Sequence, residues 1–103
     1  MSWVRVANAS SIQEGEGFAA TVAGRHIAIF KVEESLYACD GVCTHAHAYL
    51  ADGYVEGEEV ECPMHSGRFN VRTGKALCAP ARVDLATFPV EVREEGVFVD
   101  VPS

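Results

Sequence analysis

Four side chains able to ligate a metal fall in two short pairs, Cys43-x-His45 and Cys62-x-x-His65, with sixteen residues between His45 and Cys62. Each pair offers one thiolate and one imidazole. Such a set suits a mononuclear zinc ion. It equally suits a [2Fe–2S] cluster in which two histidines replace two cysteines on one iron. The residues beside the pairs are small or polar: Ala46, Ala48, Ser66 and Gly67. They let backbone amides approach bridging sulfides, which accept hydrogen bonds, whereas a zinc site has no sulfide to serve. His47 competes with His45 as the imidazole that follows Cys43.

The elements around these pairs read as short strands. Trp3–Val6 is a strand, and Glu14-Gly15-Glu16-Gly17 a turn. Phe18–Val22 is extended, and Ala23-Gly24-Arg25 turns it into His26–Val32. In that run Ile27, Ile29 and Lys31 lie on one face and Ala28, Phe30 and Val32 on the other. Both faces are mostly apolar, so the strand is expected at the centre of a sheet. His26, at its start, reads as a strand-end or surface histidine. Glu33-Glu34-Ser35 turns the chain into Leu36–Cys39. Ala48–Tyr54 is connecting chain with room for one helical turn, Glu58–Glu61 a strand that delivers Cys62, and Arg68–Val71 a strand that leaves the second pair. Thr73-Gly74 turns it into Lys75–Leu77. Phe88–Arg93 alternates as one strand, Glu94-Glu95-Gly96 is a hairpin turn, and Val97–Val101 is the last strand. Short strands between glycine-rich turns predict an all-β sandwich or barrel, with about residues 40–80 inserted as a ligand-bearing subdomain of one domain spanning 1–103.

Composition narrows the function. Eight basic against fifteen acidic residues leave a net charge of −7, which argues against nucleic acid and suits steering toward a cationic protein patch. Met1–Arg5 has no apolar signal core, and the longest aliphatic or aromatic run is Ile27–Phe30. A cytoplasmic monomer with no membrane span is therefore expected. Four cysteines in a reducing compartment argue for ligation over bridging. Cys39 and Cys78, outside the pairs, read as small buried apolar residues. No glycine-rich dinucleotide fingerprint and no further His/His/carboxylate iron site is visible, so the chain is not expected to be an enzyme.

C-x-H, the intervening gap and C-x-x-H resemble the Rieske iron–sulfur motif. The resemblance runs on through C-P-M-H-S-G-R-F-N-V-R-T-G-K-A-L-C-A-P-A, residues 62–81. From about Asp40 to Ala81 the chain is similar to the small Rieske ferredoxins of multicomponent aromatic-ring dioxygenases, the naphthalene and biphenyl types among them. This implies a base of antiparallel sheets carrying a cluster-binding subdomain at one end. It implies Cys43 and Cys62 on one iron and His45 and His65 on the other, with His47 beside the cluster. The oxidised site is then formally neutral, while an all-cysteine site carries two negative charges, so the histidine-ligated cluster takes an electron more readily.

The resemblance also implies a carrier that takes single electrons from an NAD(P)H-dependent flavin reductase and passes them to a terminal oxygenase, docking near His45 and His65. The respiratory Rieske type has a disulfide over its cluster and serine and tyrosine hydroxyls donating to it. Here Met64 stands where a spare cysteine is expected, and Gly67 and Phe69 stand at the hydroxyl positions. A low potential follows, near the bottom of the roughly −150 to +300 mV range. Ala46, Ala48, Pro63 and Met64 are expected as an exposed apolar patch, rimmed by Asp40, Asp52, Glu56, Glu58 and Glu59. Three other readings share the ligand set: the Rieske-type small subunit of a nitrite reductase, a structural zinc-binding β domain, and a ferredoxin serving a different ring hydroxylase.

Overall fold

The computed structural model describes residues 3–43, 48–64, 67–78 and 83–101. Among the described residues eleven strands form three antiparallel sheets, and there is no α-helix, only 3₁₀ turns at Ala9–Ser11 and Leu50–Asp52. Among the described residues no helix is long and apolar enough to cross a membrane.

The central sheet has the order β2-β3-β4-β9, built from Gly17–Val22, Arg25–Val32, Ser35–Asp40 and Thr87–Phe88. As its two-faced pattern predicts, β3 is internal, and residues 27–30 are all 1% exposed or less. Ile27 and Ile29 face one core with Val22, Ala38, Phe88, Val97 and Val99. Ala28, Phe30 and Val32 face a second core with Leu50, Val60, Phe69 and Val71. One strand thus holds two layers together. Burying a side chain such as Phe30 contributes about 1.5–3 kcal/mol relative to leaving it exposed.

The first core is closed by a sheet of order β1-β11-β10, from Trp3–Asn8, Gly96–Asp100 and Val90–Arg93. The second is closed by a sheet of order β5-β6-β7-β8, from Tyr54–Glu56, Glu59–Glu61, Arg68–Asn70 and Ala76–Cys78. Three hairpins turn through two residues at positive φ: Ala23-Gly24, Glu33-Glu34 and Glu94-Glu95. Such turns match the right-handed twist of the flanking strands.

The single strand expected over Phe88–Arg93 is in fact two. Thr87 and Phe88 pair with Cys39 and Ala38 in the central sheet, while Val90–Arg93 pairs with β11 in the outer one. Pro89 separates them. It has no N–H with which to continue a ladder, and its carbonyl accepts the Asp100 N–H at 3.1 Å. The chain changes sheet there.

Candidate metal centre

Both cysteines of the ligand pairs stand at the neck of a hairpin-like loop, and the two necks are built alike. At the first, the Gly41 N–H donates to the His26 carbonyl (2.8 Å), the Leu50 N–H donates to the Gly41 carbonyl (2.8 Å), and Val42 bridges Tyr49. The Cys43 N–H then donates to the Ala48 carbonyl at 2.9 Å. At the second, Glu61 pairs with Arg68 across β6 and β7, and the Cys62 N–H donates to the Gly67 carbonyl at 2.7 Å. Each cysteine amide is thereby satisfied by the carbonyl five residues on, and each closed loop contains one histidine of the ligand pairs. His45, His47, His65, Ala46 and Ser66 lie outside the described residues.

The necks seat tightly on the sheets. A Cβ on Gly41 would come within 3.0 Å of the His26–Ile27 backbone, and one on Gly53 would collide with the Glu61 carbonyl oxygen. Glycine at these positions lets the approach to each loop press against a strand.

Cys43 and Cys62 are 4% and 1% exposed and share one buried cluster with Leu50, Val60 and Phe69. None of the four cysteines is in a disulfide. Two thiols in one apolar cluster, each at the mouth of a loop, suit a group that takes thiolate ligands. A bare thiolate there carries a large desolvation cost, which iron offsets with positive charge. The donor set therefore fits a [2Fe–2S] cluster.

Two expectations are corrected. Ala48 is buried at 7% exposure, because it sits directly across the neck from Cys43 and shares its inward face; it is no part of an exposed patch. Cys78, expected to be buried, is exposed. It lies on the edge strand β8 opposite the outward-facing Arg68. Cys39 is buried as expected, and that burial, helped by the Asp40 charge, pushes its thiol up to about 12. His26 is exposed at the start of β3, with its ring 5.1 Å from that of Tyr49. Pro63 and Met64 are exposed at the second loop.

Of the acidic rim, Asp52, Glu56 and Glu58 are exposed. Asp40 is bound by Arg25 at 2.9 Å and Glu59 by Arg68 at 3.5 Å. The role of Arg68, which also reaches Glu61 at 3.2 Å, was not visible in the sequence. The alternation of Glu59 and Glu61 hints at one outward face, but the strand register that brings Arg68 opposite them is a tertiary fact.

The family model for the Rieske [2Fe–2S] domain matches residues 2–89. The chain is 45% identical over 101 residues to the ferredoxin component of the naphthalene 1,2-dioxygenase system of Pseudomonas putida, covering 98% of this chain and 97% of that one. A solved complex of reduced oxygenase and oxidised ferredoxin in carbazole 1,9a-dioxygenase contains a similar chain, with TM-score 0.89, 39% identity, and coverage of 94% here and 91% there. A chain from Mycobacterium tuberculosis assigned as an NADH-dependent nitrite reductase small subunit superposes with TM-score 0.83, covering 99% and 97%, but at 22% identity that likeness shows the fold alone. The nitrite reductase reading is thus the weaker one, and the Rieske match replaces the zinc reading. The chain belongs to the Rieske [2Fe–2S] domain family, among the ferredoxin components of aromatic-ring dioxygenase systems.

Proposed function

We propose that this chain receives single electrons from an NAD(P)H-dependent flavin reductase and delivers them to a terminal Rieske non-haem iron oxygenase acting on an aromatic ring. It is a carrier and not itself an enzyme. Cys43 and Cys62 hold one iron as thiolates, and His45 and His65 hold the other as neutral imidazoles. About residues 40–80 form the cluster-carrying part of a single domain. The observation that carries this reading is the pair of matching necks, with both cysteines buried in one core and both loops closed by the same amide-to-carbonyl bond.

When bound, the cluster supplies one-electron storage at a potential above the all-cysteine range. The chain's own residues do the rest. Leu50, Val60 and Phe69 exclude water from the thiol side. Gly41 and Gly53 let the loop necks sit against the sheets. Pro63 and exposed Met64 form a small apolar contact at the second loop, suited to a brief redox encounter. Gly67 has no side chain, and the Phe69 side chain is fully buried. Neither offers a hydroxyl to stabilise the reduced state, which supports a potential near the bottom of the roughly −150 to +300 mV range. Four cysteines outside disulfides suit the reducing cytoplasm.

The test begins with visible and EPR spectra of the purified protein before and after dithionite, followed by a redox titration. A rhombic reduced signal of low average g and a midpoint below zero are expected. Mixed with an NADH-dependent reductase and a naphthalene-type oxygenase, the protein should be required for product formation. A midpoint well above zero, or full turnover without this chain, overturns the reading.

A further inference from the structure

The geometry points to Arg68 as the positioning residue of the second ligand loop. This rests on the proposal that Cys62 and His65 bind the cluster. Arg68 is the first residue after Gly67, and Glu61 the last before Cys62, so this cross-strand pair lies one step outside the closing Cys62–Gly67 bond.

The side chains repeat the closure on the outer face. Arg68 Nε and Nη2 donate to Glu61 Oε1 at 3.3 and 3.2 Å, and Nη1 reaches Glu59 Oε1 at 3.5 Å. The guanidinium thus straddles two residues of β6. Strands β6 and β7 have only three residues each, so few backbone bonds hold their register, and β7 already shifts register against β8 between Arg68 and Phe69. A slip of one residue would turn Phe69 out of the core and carry the Cys62–Gly67 neck with it. A slip in either direction moves the fork off one of its two carboxylates. Arg is suited to this because its planar fork serves two acceptors at once, which a lysine point charge does not.

The test compares Arg68→Met, Glu61→Met and Arg68→Lys, with Arg93→Met as control. Arg93 is held by Glu91 in the outer sheet, on the far side of the central sheet, so its loss changes net charge equally without touching the loop. Three readouts are taken: the midpoint potential of the holoprotein, the EPR g-values of its reduced form, and hydrogen exchange of segments 59–70 and 41–50 by mass spectrometry. Arg68→Met and Glu61→Met should both displace the g-values and speed exchange of 59–70 at least tenfold, with 41–50 unchanged. Arg68→Lys should recover part of each effect, and Arg93→Met should show neither.

A through-space charge effect would instead shift the midpoint oppositely in the two Met variants and leave g-values and exchange as in the wild type. That result overturns the proposal, as does an equal effect from Arg93→Met. Should one Met variant fail to fold, the other decides. A wild-type protein without a Rieske signal overturns the cluster reading alone, since the exchange comparison still tests the clamp.

Discussion

The Cys62 amide donates to the Gly67 carbonyl across 2.7 Å, and this bond has its counterpart in Cys43 and Ala48 at 2.9 Å. Two segments of unrelated sequence are closed in the same way, five residues apart. In each pair both members are buried, because residues directly opposite on antiparallel strands share a face. The thiols therefore point into a common core, while Pro63 and Met64, the described residues between Cys62 and Gly67, are exposed.

The cysteines should separate cleanly by role. Cys43→Ser and Cys62→Ser are expected to abolish acid-labile sulfide and visible colour, whereas Cys39→Ala and Cys78→Ala keep both. Cys39→Ala should cost roughly 1–2 kcal/mol in a denaturant melt, since it opens a small void beside fully buried neighbours. With its thiol raised to about 12 by burial, Cys39 keeps its proton through the mildly alkaline range. Iodoacetamide at about pH 8 should modify exposed Cys78 and leave Cys39 unmodified in the folded holoprotein; labelling of Cys39 first would contradict the burial argument.

Gly53→Ala tests the seating of the second neck. An added methyl would meet the Glu61 carbonyl oxygen and press on Val60 Cγ2 at 3.0 Å. Relieving that contact displaces the residue that precedes Cys62. A loss of roughly 1–3 kcal/mol in stability is expected, with iron and sulfide content falling below half that of the wild type. Full cluster occupancy would show that the neck tolerates displacement.

Charge reversal tests electrostatic steering. Asp52, Glu56 and Glu58 are exposed, whereas Asp40 and Glu59 already face arginines. The triple change Asp52→Lys, Glu56→Lys, Glu58→Lys should slow electron delivery to the oxygenase by about tenfold at low salt and flatten its salt dependence. Unchanged stopped-flow rates across a salt series would remove these acids from the encounter.

The Glu33-Glu34 and Glu94-Glu95 hairpins hold non-glycine residues at positive φ, 48° and 71° in one and 48° and 68° in the other. Asn-Gly fits this turn with less strain. Replacing either pair by Asn-Gly should stabilise the fold by about 1 kcal/mol per turn, seen as a higher melting midpoint with an unaltered visible spectrum. A lower midpoint would mean that the glutamates make compensating contacts.

Much of this protein was legible in its sequence because the informative features are local. Chelation depends on short spacing, so Cys43-x-His45 and Cys62-x-x-His65 marked a candidate metal centre, zinc or cluster, without any fold, and the resemblance around them favoured the cluster. The two apolar faces of Ile27–Val32 marked a central strand, since only burial on both sides suits such a run. Tertiary structure decided what depends on pairing between distant segments. Pro89 divides an alternating run because two different sheets claim its two sides. Ala48 is buried and Cys78 exposed because register, not composition, sets the face on which each lies. The fork of Arg68 over Glu59 and Glu61 exists only because β6 and β7 align in one register, which is chosen by the summed contacts of the whole core and is written in no single stretch of chain.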